Sequence, residues 1–102
     1  MTEFVKFAST DEIKEGKMKD FSVNGSKLLI ANVNGNYYSI CSTCTHKGGP
    51  LADGELKGNI ITCPWHGAKF DVTTGKVIGG SAKEDEKKYE VKVQGKDILV
   101  KI

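Results

Sequence analysis

The sequence lacks the features that would point to a membrane or to nucleic acid. No apolar run approaches the roughly 18 residues that a membrane-spanning helix needs, and the first residues do not form a basic segment followed by an apolar one. The 15 basic residues nearly balance the 13 acidic ones, and they form no run of five or more. We therefore expect a soluble, cytoplasmic monomer that binds neither membranes nor nucleic acid.

The chain also has too few residues for a second domain. Its 102 residues suit a single domain spanning 1–102, and no glycine-rich nucleotide-binding motif follows a predicted strand and opens a helix. Reductase activity is therefore excluded. There are three cysteines, an odd number, which in a reducing compartment favours metal ligands or buried thiols over disulfides.

Alternating apolar residues and turn signals predict an all-β fold. Strands are predicted over 3–7, 17–23, 26–33 and 36–40, with a closing hairpin over 89–102. Asn24-Gly25 and Asn34-Gly35 separate the second, third and fourth strands, since Asn-Gly suits the positive φ of tight hairpin turns. The run 28–31 is apolar on both faces, which predicts a central strand covered on both sides. The Ser9 to Glu12 spacing predicts at most one helical turn before Gly16.

The segment 41–81 differs from the rest of the chain. It holds eight of the 12 glycines and both prolines, and short hairpins are predicted within it over 54–62 and 69–77. We predict an antiparallel β-sandwich base with this glycine-rich subdomain inserted at one end. The charged run 83–88 that follows predicts a solvated loop.

The chemistry-bearing residues lie within this insert. Cys44-Thr45-His46 and Cys63-Pro64-Trp65-His66 contain both histidines of the chain and two of its three cysteines. Thiolates are soft ligands that favour iron–sulfur clusters, zinc or copper(I), and imidazole suits zinc and iron. The two segments therefore predict a metal centre, and ligand type alone does not choose the metal.

The full pattern resembles the Rieske iron–sulfur signature. The resemblance includes the residues 47–51 after the first ligand pair, Pro64-Trp65 within the second, and 67–71 and 74–75 beyond it. It implies a Rieske fold in which Cys44 and Cys63 bind one iron of a [2Fe–2S] cluster and His46 and His66 bind the other. It also implies a one-electron carrier between a reductase and an acceptor such as a ring-hydroxylating oxygenase. Both histidines are then ligands, so no 2-His-1-carboxylate catalytic iron site remains and no enzyme is expected.

The ligand mix also bears on the reduction potential. Two ferric ions, two sulfides and two thiolates sum to zero charge, so an electron is added to a neutral centre rather than an anionic one. High-potential members of the family carry two additional cysteines that form a disulfide, and a serine and a tyrosine that donate hydrogen bonds. Their positions match Gly49, Trp65, Ala68 and Phe70 in this sequence. We therefore expect a potential at the low end of the Rieske range of about −150 to +300 mV.

Two alternatives remain open from the sequence. Cys41, Cys44, Cys63 and His66 also match a Cys₃His structural zinc site, which would leave His46 without a role. The cluster could instead sense redox state in a small subunit of a larger complex, which would require a large apolar surface. Lys47 and Lys69 flank the ligand segments, where they either meet an acidic partner or only aid solubility.

Overall fold

The computed structural model describes residues 4–23, 26–42, 51–64, 67–80 and 85–101. These residues contain no α-helix and form strands and one 3₁₀ turn, Leu51–Asp53, so the all-β prediction is confirmed. The strands are β1 (Phe4–Ser9), β2 (Met18–Val23), β3 (Ser26–Val33), β4 (Asn36–Cys41), β5 (Glu55–Lys57), β6 (Ile60–Thr62), β7 (Lys69–Asp71), β8 (Val77–Gly79), β9 (Lys88–Gln94) and β10 (Asp97–Lys101).

Six strands form the base, a curled antiparallel sheet in the order β1-β10-β9-β4-β3-β2. The curl brings its two edge strands together, because the ring of Phe7 on β1 meets that of Phe21 on β2 at 5.6 Å in an edge-to-face arrangement. The inner face encloses one core. Its fully buried members are Ala8, Ile13, Leu28, Ile30, Ile98 and Val100.

The central strand β3 is buried on both faces, as its sequence predicts. Leu28 and Ile30 face the inner core, whereas Leu29 and Ala31 belong to a second core on the outer face of the base. All four are at most 1% exposed. This division follows from the two-residue period of a strand, which sends successive side chains to opposite faces.

The remaining four strands form the insert sheet, in the order β5-β6-β7-β8. Its two hairpins match the two predicted for the insert, with turns at Gly58 and around Gly75. The sheet packs on the outer face of the base and closes the second core. The buried residues of this core are Leu29, Ala31, Val33 and Ile40 from the base, with Leu51, Ile61, Cys63, Ala68, Phe70 and Val72 from the insert region.

A bulge interrupts strand β1 at Phe7, between Lys6 and Ala8, and Ala8 is the buried residue of the strand. The segment after β1 forms turns, in keeping with the prediction of at most one helical turn before Gly16.

Tertiary contacts explain these turns. The side-chain amide of Asn32 donates to the carbonyl oxygen of Ile13 at 2.9 Å, and the one hydroxyl proton of Tyr37 is shared between this oxygen and the carbonyl oxygen of Thr10, each at 3.1 Å. Those two donors satisfy a carbonyl that a helix would have paired internally, while the Ile13 side chain is buried in the inner core.

Candidate metal centre

Cys63 is the predicted ligand that lies within the described residues. It is 2% exposed, in the core between the insert and the base, and it directly follows β6. Its backbone N–H donates to the carbonyl oxygen of Ala68 at 2.7 Å, just before β7. This hydrogen bond brings the two ends of the segment 64–67 together, so Cys63 lies where the segment that contains His66 begins.

The other three predicted ligands, Cys44, His46 and His66, lie outside the described residues. The structure does describe the two ends of the segment that contains Cys44 and His46. The backbone N–H of Leu51 donates to the carbonyl oxygen of Ser42 at 2.9 Å, so the chain leaves and returns at one point. Leu51 shares its core with Cys63. Both ligand segments therefore start from the same core, which is what a centre shared by two loops requires.

Two glycines permit close backbone contacts on either side of the segment that contains the predicted ligands Cys63 and His66. A Cβ at Gly80 would overlap the carbonyl oxygen of Gly67 and lie 2.6 Å from the Cα of Ala68, and Gly80 has a φ of +78°. A Cβ at Gly54 would overlap the carbonyl oxygen of Thr62, the residue before Cys63. Only glycine fits at such approaches. The sequence shows these glycines, but spacing alone does not reveal what they contact.

The charged run after the insert is only partly a solvated loop, so that prediction needs correction. Asp85 is exposed, but Glu86 is 5% exposed. The Glu86 N–H donates to the carbonyl oxygen of Gly75 at 2.7 Å, and the Asp85 carboxylate accepts the N–H of Val77 at 2.9 Å. Residues 85–86 thus fasten the β7–β8 hairpin, a role that the string of charges gave no reason to expect.

The turn between β7 and β8 is stabilised by a carboxylate. Asp71 Oδ1 accepts the backbone N–H of Thr73 at 2.9 Å and the Thr73 hydroxyl at 2.6 Å. Partial burial raises the pKa of Asp71, but hydrogen bonds from Thr73, Asn59 and Thr74 together lower it more, so the pKa lies below its usual 3.8. The charged form of Asp71 therefore stabilises the turn.

Cys41 faces away from the core that contains Cys63. Its strand neighbour Ile40 packs in the same core as Cys63, and strand alternation directs Cys41 to the opposite face. On that face Cys41 lies opposite Leu28 on the neighbouring strand β3. Burial, and after it the nearby Cys41, raises the pKa of Tyr89, which packs against the inner core. Zinc ligands must meet within about 2.3 Å of one ion. The placement of Cys41 therefore opposes the Cys₃His zinc alternative.

High-potential family members carry a serine and a tyrosine at two positions that the structure describes. In this chain both positions hold hydrocarbon side chains. Ala68 and Phe70 are both fully buried in the core that contains Cys63. Neither can donate an O–H hydrogen bond. Gly49 and Trp65, the matching positions of the disulfide cysteines, lie outside the described residues.

Within the described residues, no three metal-binding side chains come together and no helix is long and apolar enough to cross a bilayer. Cys63 is the single predicted ligand among these residues.

Comparison with known proteins agrees with the fold and the ligand pattern. The family model for the Rieske [2Fe-2S] domain matches residues 3–94. The ferredoxin component of the naphthalene 1,2-dioxygenase/salicylate 5-hydroxylase systems of Ralstonia sp is 34% identical over 99 residues, covering 97% of this chain and 95% of the relative.

Two solved structures have nearly the same backbone. The ferredoxin of carbazole 1,9a-dioxygenase from Nocardioides aromaticivorans superposes with a TM-score of 0.91 at 30% identity, covering 95% of each chain. A chain in the complex of reduced oxygenase and oxidized ferredoxin of carbazole 1,9a-dioxygenase gives a TM-score of 0.91 at 28% identity, covering 95% of this chain and 91% of that one.

The fold and the ligand motif define an iron–sulfur protein of the all-β type. The chain belongs to the Rieske [2Fe-2S] domain family. Its cofactor is a [2Fe–2S] cluster, and it acts as an electron carrier rather than as an enzyme.

Proposed function

We propose that Cys44 and Cys63 bind one iron of the cluster and that His46 and His66 bind the other. The placement of Cys63 carries this proposal, because Cys63 is buried where the two ends of the segment 64–67 meet, and its core includes Leu51 at the end of the other ligand segment. A cluster held in this way takes up and releases one electron, at a potential raised by neutral imidazole ligands. The donor set and the placement of Cys63 fit such a cluster.

The chain itself supplies rigidity and exclusion of water. The core around Cys63 contains the fully buried side chains of Leu51, Ala68 and Phe70. These apolar side chains exclude water from one side of Cys63. The close approach of Gly80 to the Gly67–Ala68 peptide holds the second loop against β8. A rigid set of ligands limits rearrangement when the charge of the site changes, which favours rapid electron exchange.

We further propose that this electron carrier works in the cytoplasm, between a reductase and a terminal ring-hydroxylating oxygenase. Several relatives are ferredoxin components of dioxygenase systems and match this chain over nearly its whole length. The redox-sensing alternative requires a large apolar surface for a permanent partner. Only four large hydrophobic side chains are exposed among the described residues, which favours a carrier with transient partners.

Spectroscopy of ligand variants tests the cluster assignment. The dithionite-reduced protein should give an electron paramagnetic resonance signal whose average g value lies below that of an all-cysteine cluster, because nitrogen ligates one iron. His46→Ala and His66→Ala should lose that signal and iron. Cys41→Ser is the matched control and should keep both. Retention of iron and visible absorption by His46→Ala would contradict the assignment.

Electron transfer tests the partners. The protein should accept electrons from the reductase of a naphthalene or carbazole dioxygenase system and reduce the corresponding oxygenase. Voltammetry should give a potential at the low end of the Rieske range, because the described hydroxyl positions hold Ala68 and Phe70. A value above about +100 mV would contradict this expectation.

A further inference from the structure

Residues 85–87 form a linking segment that fastens the β7–β8 hairpin. The Asp85 carboxylate accepts the N–H of Val77 in β8 at 2.9 Å, and the Glu86 N–H donates to the carbonyl oxygen of Gly75 at 2.7 Å. The fit at the turn is close, because a Cβ at Gly75 would lie 2.5 Å from the carbonyl oxygen of Glu86. The linking segment therefore contacts the hairpin both at its turn and along β8.

The hairpin depends on these contacts because its own pairing is irregular. Lys69 is opposite Gly79 and Phe70 is opposite Val77, so Ile78 is an additional residue, and it is 51% exposed. A bulge of this kind disrupts the ladder of hydrogen bonds locally. The bonds from the linking segment compensate for that local loss.

The linking segment is also bonded to strand β4 of the base. The carbonyl oxygen of Lys87 accepts the N–H of Cys41 at 2.8 Å, and the chain continues directly into β9, where Lys88 is opposite Ile40. Cys41 ends β4, three residues before the proposed ligand Cys44. The first ligand segment thus leaves from the strand that the linking segment holds.

The hairpin on the other side supports the second ligand segment. Gly80 follows β8 and packs against the Gly67–Ala68 peptide, which comes directly after the proposed ligand His66. The carbonyl oxygen of Ala68 accepts the N–H of the proposed ligand Cys63 at 2.7 Å. A displacement of β8 is therefore transmitted to peptide groups beside both ligands of that segment.

A cluster shared by two ligand segments requires them to be held at a fixed separation. Both segments border the core that contains Cys63, but burial of apolar surface is not directional, whereas a hydrogen bond fixes distance and angle. Within the described ranges, the linking segment supplies such bonds to the hairpin and to β4. Asp85 makes its bond with a side chain, and the other two bonds join backbone groups. Asp85 is therefore the contact that a substitution can remove.

We propose that Asp85 is a positioning residue for the cluster, because its bond to Val77 holds the second ligand segment at the correct distance from the first. This inference rests on the proposed ligand assignment of Cys44, His46, Cys63 and His66. Groups bonded directly to metal ligands typically change metal affinity about 10–100-fold when removed, and Asp85 acts one step further away, so its effect should be smaller.

Asp85→Ala removes the side-chain acceptor. Transfer of iron from the oxidised holoprotein to EDTA, followed by loss of visible absorption, should be about fivefold faster, because one hydrogen bond of ordinary net strength changes the population of a local opening by about that factor. Asp85→Asn should return the rate to within about twofold of the wild type, because its side-chain oxygen accepts the same N–H. Asp97→Ala is the matched control at a half-exposed aspartate of the base and should leave the rate unchanged.

A comparison with a destabilised variant separates positioning from overall stability. Gly95→Ala introduces left-handed strain in the β9–β10 turn, where φ is +64° and no atom lies within 4 Å of an added Cβ. It should lower the Tm at least as much as Asp85→Ala does, yet leave iron transfer and the resonance lines of the reduced protein unchanged. Asp85→Ala should broaden those lines, because a looser surrounding shell lets the ligand geometry vary between molecules.

A second pair of variants displaces the linking segment instead of removing a bond. Gly75→Ala places a Cβ against the carbonyl oxygen of Glu86, whereas Gly58→Ala, in the turn of the other insert hairpin, meets no atom within 4 Å. Both glycines have a positive φ, +80° and +63°, so left-handed strain is common to the two variants. Gly75→Ala should lose iron to EDTA faster than Gly58→Ala.

The outcomes separate the positioning role from the assignment on which it rests. Wild-type iron transfer in Asp85→Ala would overturn the positioning role, as would transfer in Gly95→Ala that accelerates in step with its lower Tm. Should Asp85→Ala not fold, equal transfer in Gly75→Ala and Gly58→Ala would overturn it. Fast transfer in Asp85→Asn would overturn the bond to Val77 as the cause. Retention of iron by His66→Ala would overturn the ligand assignment itself.

Discussion

Replacing Gly80 with alanine should both destabilise the protein and lower its cluster content. Gly80 has a φ of +78°, and its Cα lies against the Gly67–Ala68 peptide, which directly follows the proposed ligand His66. An added Cβ would overlap the Gly67 carbonyl oxygen and stand 2.6 Å from the Ala68 Cα, where ordinary contacts begin at 3.4 Å. All the nearest atoms belong to backbone, so no flexible side chain can move aside. The peptide after His66 must shift instead.

The chain provides a control that isolates this clash. Gly16 has a φ of +79° but no atom within 4 Å of an added Cβ. Gly16→Ala should therefore lower the free energy of unfolding by about 1–2 kcal/mol, because alanine is strained in the left-handed conformation. Gly80→Ala should cost that amount plus about 1–3 kcal/mol for the forced backbone shift. The gain from a less flexible unfolded chain is similar at both positions and cancels in the comparison.

Thermal unfolding and iron analysis together measure this difference. At roughly 4–8 °C per kcal/mol for a domain of this size, Gly16→Ala should lower the Tm by about 5–15 °C, and Gly80→Ala by at least several degrees more. Iron content and visible absorption should fall in Gly80→Ala and stay normal in Gly16→Ala. If the two variants show the same Tm and the same iron content, Gly80 does not position the ligand loop.

Three other outcomes are expected. Ala68→Ser adds a hydroxyl in the core that contains Cys63, where it can donate a hydrogen bond to a cluster sulfur. If that bond is about 1 kcal/mol stronger in the reduced state, the reduction potential should rise by about 40 mV. Voltammetry measures the potential, with Ala8→Ser in the inner core as the control variant. Equal reduction potentials for the two variants would contradict this expectation. Cys63→Ser should lose iron, whereas Cys41→Ser should retain it in chemical iron analysis; loss in both would revive the zinc alternative. Asp71 has a lowered pKa, so its contribution to stability is present above pH 3.8, its usual pKa, and is lost as the pH falls through the lower folded value. Asp71→Asn should therefore lose less stability on acidification, as measured by urea unfolding, and identical acid sensitivity would refute this reasoning.

Much of the fold could be predicted because its signals are local. The apolar run in β3, the Asn-Gly turn before β4 and the glycine turns of the insert each depend on residues close together in the chain. The β1 bulge and the tertiary contacts of the turns before β2 could not be predicted in this way. They depend on pairing with β10 and on hydrogen bonds from Asn32 and Tyr37, which are distant in sequence.

The candidate site shows the same division. Ligand chemistry is a property of residue type and spacing, so the two Cys/His segments could be recognised directly. The zinc alternative could not be weighed from spacing, because Cys41 and Cys44 are close in sequence whichever way their side chains point. The structure opposes that alternative by directing Cys41 toward Tyr89, on the other side of β4 from the core that contains Cys63.

The amino-acid sequence alone indicated the Cys/His donor set, the all-β fold and the central place of β3, because residue type and strand periodicity are properties of neighbouring residues. Only the tertiary structure decided that Glu86 is buried, that Gly80 lies against the Gly67–Ala68 peptide and that a bulge exposes Ile78. Each of these depends on which distant backbone segment packs alongside. Packing between segments far apart in the chain has no signature in local composition.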